Sequence, residues 1–170
     1  MARWALGGVV VLCMAFAAYS VRESRSYDLT TTFRYMKWSN PPFDRLFRYN
    51  LYALHPTPAE VLELNQHAGA SIVLGMDDEA EREKLLSHLI AAGVDINAQD
   101  ERTSLTALHI AAAAGSPSGV ALLLAHGARA DLKSAGGLTP LDRALIFQQE
   151  SPSPDRAEVI RLLRTAGGGE

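Results

Sequence analysis

Two short patterns recur along this chain, out of phase with each other, and together they leave few folds open. The first is a Leu-rich run closed by glycine: Leu85–Gly93 (LLSHLIAAG), Val120–Gly127 (VALLLAHG) and Val159–Gly167 (VIRLLRTAG). A glycine there supplies the left-handed backbone that closes a helix, which is costly for a residue with a β-carbon. Gly93 and Gly127 lie 34 residues apart, Gly127 and Gly167 40 apart. The second pattern is a threonine-led start, T-A-L-H-I-A (106–111) and L-T-P-L-D-R-A (138–144), with the threonines 33 residues apart. Threonine is a favoured N-cap, and proline suits the first helical position, where its missing N–H costs nothing. A turn and two antiparallel helices at this period must stack: one unit cannot bury its own apolar face, and about three are needed for stability.

The stretches T-A-L-H-I-A-A-A-A-G (106–115), G-V-D-I-N-A-Q-D (93–100) and L-T-P-L-D-R-A (138–144) resemble the ankyrin repeat. Its pattern runs G-x-T-P-L-H-x-A-A, then a Leu-rich helix, then G-A-D-x-N. The resemblance spans roughly residues 70–167. It implies an all-α ankyrin-repeat solenoid of about three helix-turn-helix repeats that binds a protein and is not an enzyme. It also implies that His109, at the motif histidine, hydrogen-bonds neighbouring turns. The departures are specific. Ala107 replaces proline, Asp142 replaces histidine, and Arg143 replaces an apolar residue. Residues 97–106 carry one extra residue. The first repeat is eroded, with an inner helix expected near Ala70–Met76 and an extended acidic link over Asp77–Glu83. A long loop is expected over Gln148–Asp155, and a further helix around Pro58–His67.

Ahead of the repeats the chain has a different character. Residues 1–21 form an apolar leader, with one early arginine and an apolar run from Ala5. That is the pattern of a secretory signal peptide, with A-x-A-like sites at Ala15/Ala17 and Ala18/Ser20. It is equally the pattern of a short transmembrane anchor, in which residues 5–21 contact the membrane. Either reading places the chain at or beyond a membrane: anchored in an inner membrane by a single pass, or periplasmic or secreted after cleavage. Leu12 before Cys13 argues against a lipidated cysteine. Residues 22–57 form an aromatic-rich segment, with eight of the twelve aromatics between Tyr27 and Tyr52. Such a segment caps the open apolar end of a solenoid or meets a partner or membrane interface. A short helix is expected from Asp44 to Leu54. Residues 58–170 are then the ankyrin-repeat domain.

Charge narrows the functional classes. The net charge of −3 argues against a general nucleic-acid binder. Residues 53–170 carry 9 basic and 16 acidic side chains, which suits a basic partner. No histidine or cysteine spacing suggests zinc, and no Gly-rich loop suits a phosphate. Ser116-Pro117-Ser118 reads as a loop. No cofactor, metal or catalytic residue is expected. The resemblance places partner contacts at turn tips (Gln99, Glu101, Arg102, Lys133, Ala135) and on the exposed inner-helix face (Ala113, Ala114, Ile146, Phe147). Phe147 is an anchor candidate, the alternative being that the loop after it folds over the ring. The implied role is an interaction module in a bacterial envelope. It would be an immunity or inhibitor protein for a secreted toxin, or an envelope assembly or protective factor.

Overall fold

The computed structural model describes residues 43–167, so the leader, residues 22–42 and any cap they form lie outside the described residues. Among the described residues every element is helical. In order they are α1 (Phe43–Leu54), α2 (Pro58–Gln66), a 3-10 helix (Gly69–Gly75), α3 (Glu79–Ala91), α4 (Ala107–Ala114), α5 (Pro117–Ala125), α6 (Pro140–Glu150) and α7 (Pro154–Gly167). No helix among the described residues is long and apolar enough to cross a membrane. The chain divides into two compact units, residues 1–60 and 61–170.

In the first unit the helix expected from Asp44 is present as α1. Leu51 is buried, Tyr52 half-buried and Tyr49 exposed. A reciprocal cap opens α2: the Thr57 N–H donates to Glu60 Oε2 at 2.7 Å, and the Glu60 N–H donates to Thr57 Oγ1 at 3.3 Å. Pro58 then takes the first helical position. The same Glu60 carboxylate meets Nδ1 of buried His55 at 2.8 Å.

The second unit is a two-row stack. The 3-10 helix, α4 and α6 make the inner row, and α3, α5 and α7 the outer row. α4 packs against the 3-10 helix, α5, α6 and α7, while α7 packs against α5 and α6. The sequence explains the close inner packing. Three of the five buried residues of α4 are alanines, Ala107, Ala111 and Ala112, beside Leu108 and His109. The outer row supplies the bulk: Leu85, Leu86 and Leu89 of α3, Val120 and Leu123 of α5, and Val159 and Leu163 of α7 are all buried. Each fully buried leucine or valine contributes roughly 1.5–3 kcal/mol of transfer free energy. Two of the three closing glycines take the left-handed backbone, Gly93 at φ 105° and Gly127 at φ 91°, whereas Gly167 is the last residue of α7 itself.

Four local expectations are corrected. The eroded inner helix is not an α-helix but the 3-10 segment Gly69–Gly75, entered through Ala68 in the left-handed region at φ 51°. A β-carbon on Gly69 would fall 2.4 Å from Leu64 Cβ, so the chain turns tightly there. The acidic stretch is not an extended link, because Asp78 caps α3 by accepting the Glu81 N–H and the helix begins at Glu79. Acidic groups favour that end of a helix. Ser116-Pro117-Ser118 is a helix start: Ser116 accepts the Gly119 N–H and Pro117 opens α5. The long loop after Phe147 shrinks to residues 151–153, because α6 continues to Glu150 and Pro154 opens α7.

Candidate partner-binding surface

The turn tips are built by one bond used twice. The Asp100 N–H donates to the Leu105 carbonyl at 2.9 Å, and the Ser134 N–H donates to the Leu138 carbonyl at 2.9 Å. Between those anchors stand residues 101–104 in one turn and 135–137 in the next, so the extra residue read from the sequence is present. Asp100 organises the longer tip. Its carboxylate accepts the Thr103 hydroxyl at 2.7 Å, the Thr103 N–H at 2.9 Å and the Arg102 N–H at 3.2 Å. Those donors, Thr103 first, hold the Asp100 pKa down at about 2.

The tips are also tied to one another. The Ala135 N–H donates to the Thr103 carbonyl at 2.9 Å, and the Glu101 N–H donates to the Gln66 carbonyl at 3.0 Å. Gln99 Nε2 bridges the Ser104 and Lys133 carbonyls at 2.8 and 3.0 Å. Below them an asparagine ladder repeats. Asn65 accepts the Asp95 N–H at 2.8 Å and donates to the Gly93 carbonyl at 3.2 Å. Asn97 accepts the Arg129 N–H at 2.8 Å and donates to the Gly127 carbonyl at 3.3 Å. At the next equivalent position, Asp131 takes the Arg129 guanidinium at 2.7 Å.

His109 joins two repeats, as expected. Its Nδ1 accepts the Thr106 N–H at 3.1 Å, completing the cap of α4, which leaves Nε2 to carry the proton and donate to the Leu138 carbonyl at 3.0 Å. The imidazole is buried, and that burial, above all, lowers its pKa, with the nearby Arg143 charge acting in the same direction. In α6 Asp142 performs the capping half of the job, accepting the Thr139 N–H at 2.9 Å.

The candidate contact residues fall into two groups. Glu101, Arg102, Lys133 and Ala135 stand exposed at the tips, and Gln99 is exposed but occupied in joining them. On the inner row, Ala114 and Ile146 are exposed and Ala113 half-buried, its carbonyl accepting Arg156 Nη1 at 2.7 Å. Phe147 is half-buried. The guanidinium carbons of Arg143 and Arg156 lie 5.8 and 5.5 Å from its ring centroid, within cation–π range. The ring is thus flanked by Arg143 of its own helix and by Arg156 of α7.

Three further contributors escaped the sequence reading. Asn65 sits in α2, outside any G-A-D-x-N motif; its only signal is a spacing of 32 residues from Asn97. Arg82 is buried, its Nη2 and Nε on the Met76 carbonyl at 2.5 and 3.2 Å and its Nη1 on Ser118 Oγ at 2.9 Å. Arg156 reaches back 43 residues to Ala113. The last two resemble ordinary helix-surface arginines in sequence. Among the described residues no group of His, Cys, Asp and Glu could hold a metal ion.

A family model described as ankyrin repeats (many copies) matches residues 89–144. No curated protein matches the chain. The matched span opens near the end of α3, holds both turn tips and the whole of α4 and α5, and ends within α6. Repeats of this family are protein–protein interaction modules and are typically non-enzymatic. On the motif residues, the shared period and this match, residues 89–144 are ankyrin repeats.

Proposed function

We propose that the chain binds a partner protein through its turn tips and the exposed face of its inner helices. The observation that carries this reading is the state of the tips. Their backbones are tied, one tip to the next by Ala135 to Thr103 and the first tip to the end of α2 by Glu101 to Gln66, while Glu101, Arg102 and Lys133 keep exposed side chains. A surface ordered before binding loses less entropy on association. The acidic balance of residues 53–170 favours a basic partner and speeds encounter. The apolar leader supports placement at or beyond a membrane. The finer role we propose is inhibition of a secreted toxin; a partner that is an envelope enzyme or assembly component would replace it with the assembly reading.

The test is site-directed photo-crosslinking in the host cell. A benzophenone amino acid replaces Lys133 or Ala114 in the full chain, with Arg164 on α7, also exposed, as the control position. A discrete adduct is expected at Lys133 and Ala114 and not at Arg164. No adduct at either site, or the same adduct from all three, would overturn the reading. The identity of the captured protein decides between toxin and envelope component.

A further inference from the structure

Within a domain dominated by acidic side chains, the inner face carries a local exception. Arg143 and Arg156 both lie over the Phe147 ring, and among the described residues neither has a carboxylate at ion-pair distance. By contrast, exposed Arg129 and Arg161 are each paired, to Asp131 and Glu158. Arg143 Nε is also buried without a hydrogen-bond acceptor. A guanidinium carries five N–H donors in a rigid fork suited to a carboxylate, so two such forks at one ring, neither paired with a carboxylate, form an incomplete set.

The surroundings are apolar. Ile146 is 39% exposed on α6, and Ile110 is 36% exposed on α4. Ile110 occupies in its repeat, four residues after Thr106, the place that Arg143 occupies four after Thr139. Ala114 likewise corresponds to Phe147, so the small residue of one repeat stands where the aromatic stands in the next. Ala113 is half-buried beside it and gives up its carbonyl to Arg156. That bond and the ring hold Arg156 in place, so its remaining N–H groups are pre-positioned.

We infer that Arg143, Phe147 and Arg156 form a carboxylate-reading subsite, which takes a Glu or Asp side chain of the partner protein flanked by an apolar side chain lying on Ile110 and Ile146. This rests on the partner-binding reading above and adds the chemistry of the contact. The two scales of charge are compatible: the acidic domain attracts a basic protein over a distance, and one buried carboxylate fixes its register on contact. Charge-assisted bidentate pairs are the polar contacts that give such register.

The test uses the Nε–H resonances of Arg143 and Arg156 in the full-length chain. The probes are the peptides acetyl-Leu-Glu-Leu-amide and acetyl-Leu-Gln-Leu-amide. Both arginine signals are expected to shift and saturate with the Glu peptide, and to respond about tenfold more weakly or worse to Gln. Equal response to the two peptides, or no response to either, overturns the subsite. R143Q and R156Q should each abolish the preference for Glu with the melting temperature kept as a folding check, and R143K should restore part of it. The crosslinking result separates the two levels. If the turn-tip adduct forms but the arginines ignore the Glu peptide, only the subsite falls; if no adduct forms, the interaction reading falls and the subsite with it.

Discussion

Ser104 shows how much one inserted residue costs a turn. It sits at φ 52°, in the left-handed region, immediately before Leu105. In the next repeat the residue immediately before Leu138 is Gly137, at φ 74°. A residue with a β-carbon is disfavoured there by roughly 1–2 kcal/mol, and glycine gives back about 0.4–1 kcal/mol through its freer unfolded chain. Ser104→Gly is therefore expected to stabilise by about 0.5 kcal/mol and to raise the melting temperature by about 2–4 °C. The Ser104 side chain makes none of the bonds that build the tip, and its carbonyl still accepts Gln99 after substitution. A lower melting temperature in S104G would show that the hydroxyl matters more than the backbone.

His109 is the residue where acidity should reach the fold. Protonation would place a hydrogen on Nδ1, where the Thr106 N–H now donates, and a charge in a buried site. Its folded pKa lies below the ordinary 6.5, so between the two values the unfolded chain binds the extra proton. The contribution of His109 is thus complete above pH 6.5 and is lost as pH falls from there toward the folded pKa. Urea midpoints should decline below that pH, and more steeply in the wild type than in His109→Gln, which cannot titrate. Parallel declines would mean another group controls the acid limb.

At the scale of elements, what could be read from the sequence depended on whether a feature lay in local chemistry or in reach. Caps and closing glycines were legible because Thr106, Thr139, Gly93 and Gly127 act on their own backbone or that of near neighbours. The extra residue in the first tip was legible as a spacing. The 3-10 segment was not, since Gly69-Ala-Ser-Ile-Val-Leu-Gly75 has helical apolar spacing and its tightness comes from Leu64 against Gly69. Nor was the partnership of Phe147, because Arg156 reaches it from α7. Of the contact surface, the sequence placed the tips, but it could not tell Gln99, committed to neighbouring carbonyls, from Lys133. The asparagine ladder is the sharpest case. Asn97 belongs to a motif and Asn65 does not, yet each satisfies one N–H and one carbonyl of the following repeat. Asn65→Ala and Asn97→Ala should each cost about 1–2 kcal/mol in urea unfolding. A neutral Asn65→Ala would mean that only the motif position joins repeats.

The whole repeat unit behaves as a line of neighbours, and this sets where damage spreads. α4 touches the 3-10 helix, α5, α6 and α7, so nearly every element leans on it, whereas α7 leans mainly on α5 and α6. Leu108 of α4 and Leu163 of α7 are both essentially inaccessible to solvent, at 0% and 1%. Truncating either to alanine costs about 2–5 kcal/mol, a large share of the roughly 5–15 kcal/mol that holds a domain of this size together. The costs are similar, but their distribution should differ, because stability in a stack is a sum of unit and nearest-neighbour terms. L108A removes packing at the junction, so amide exchange should quicken from α3 through α7 together. L163A weakens a terminal pair, so α6 and α7 should lose protection first, while α3 and α4 keep theirs until more denaturant is added. Exchange mass spectrometry on the two variants reads this directly. Uniform loss in L163A would make the unit a single cooperative block, in which the inner face carrying Phe147 could not loosen without the turn tips loosening as well.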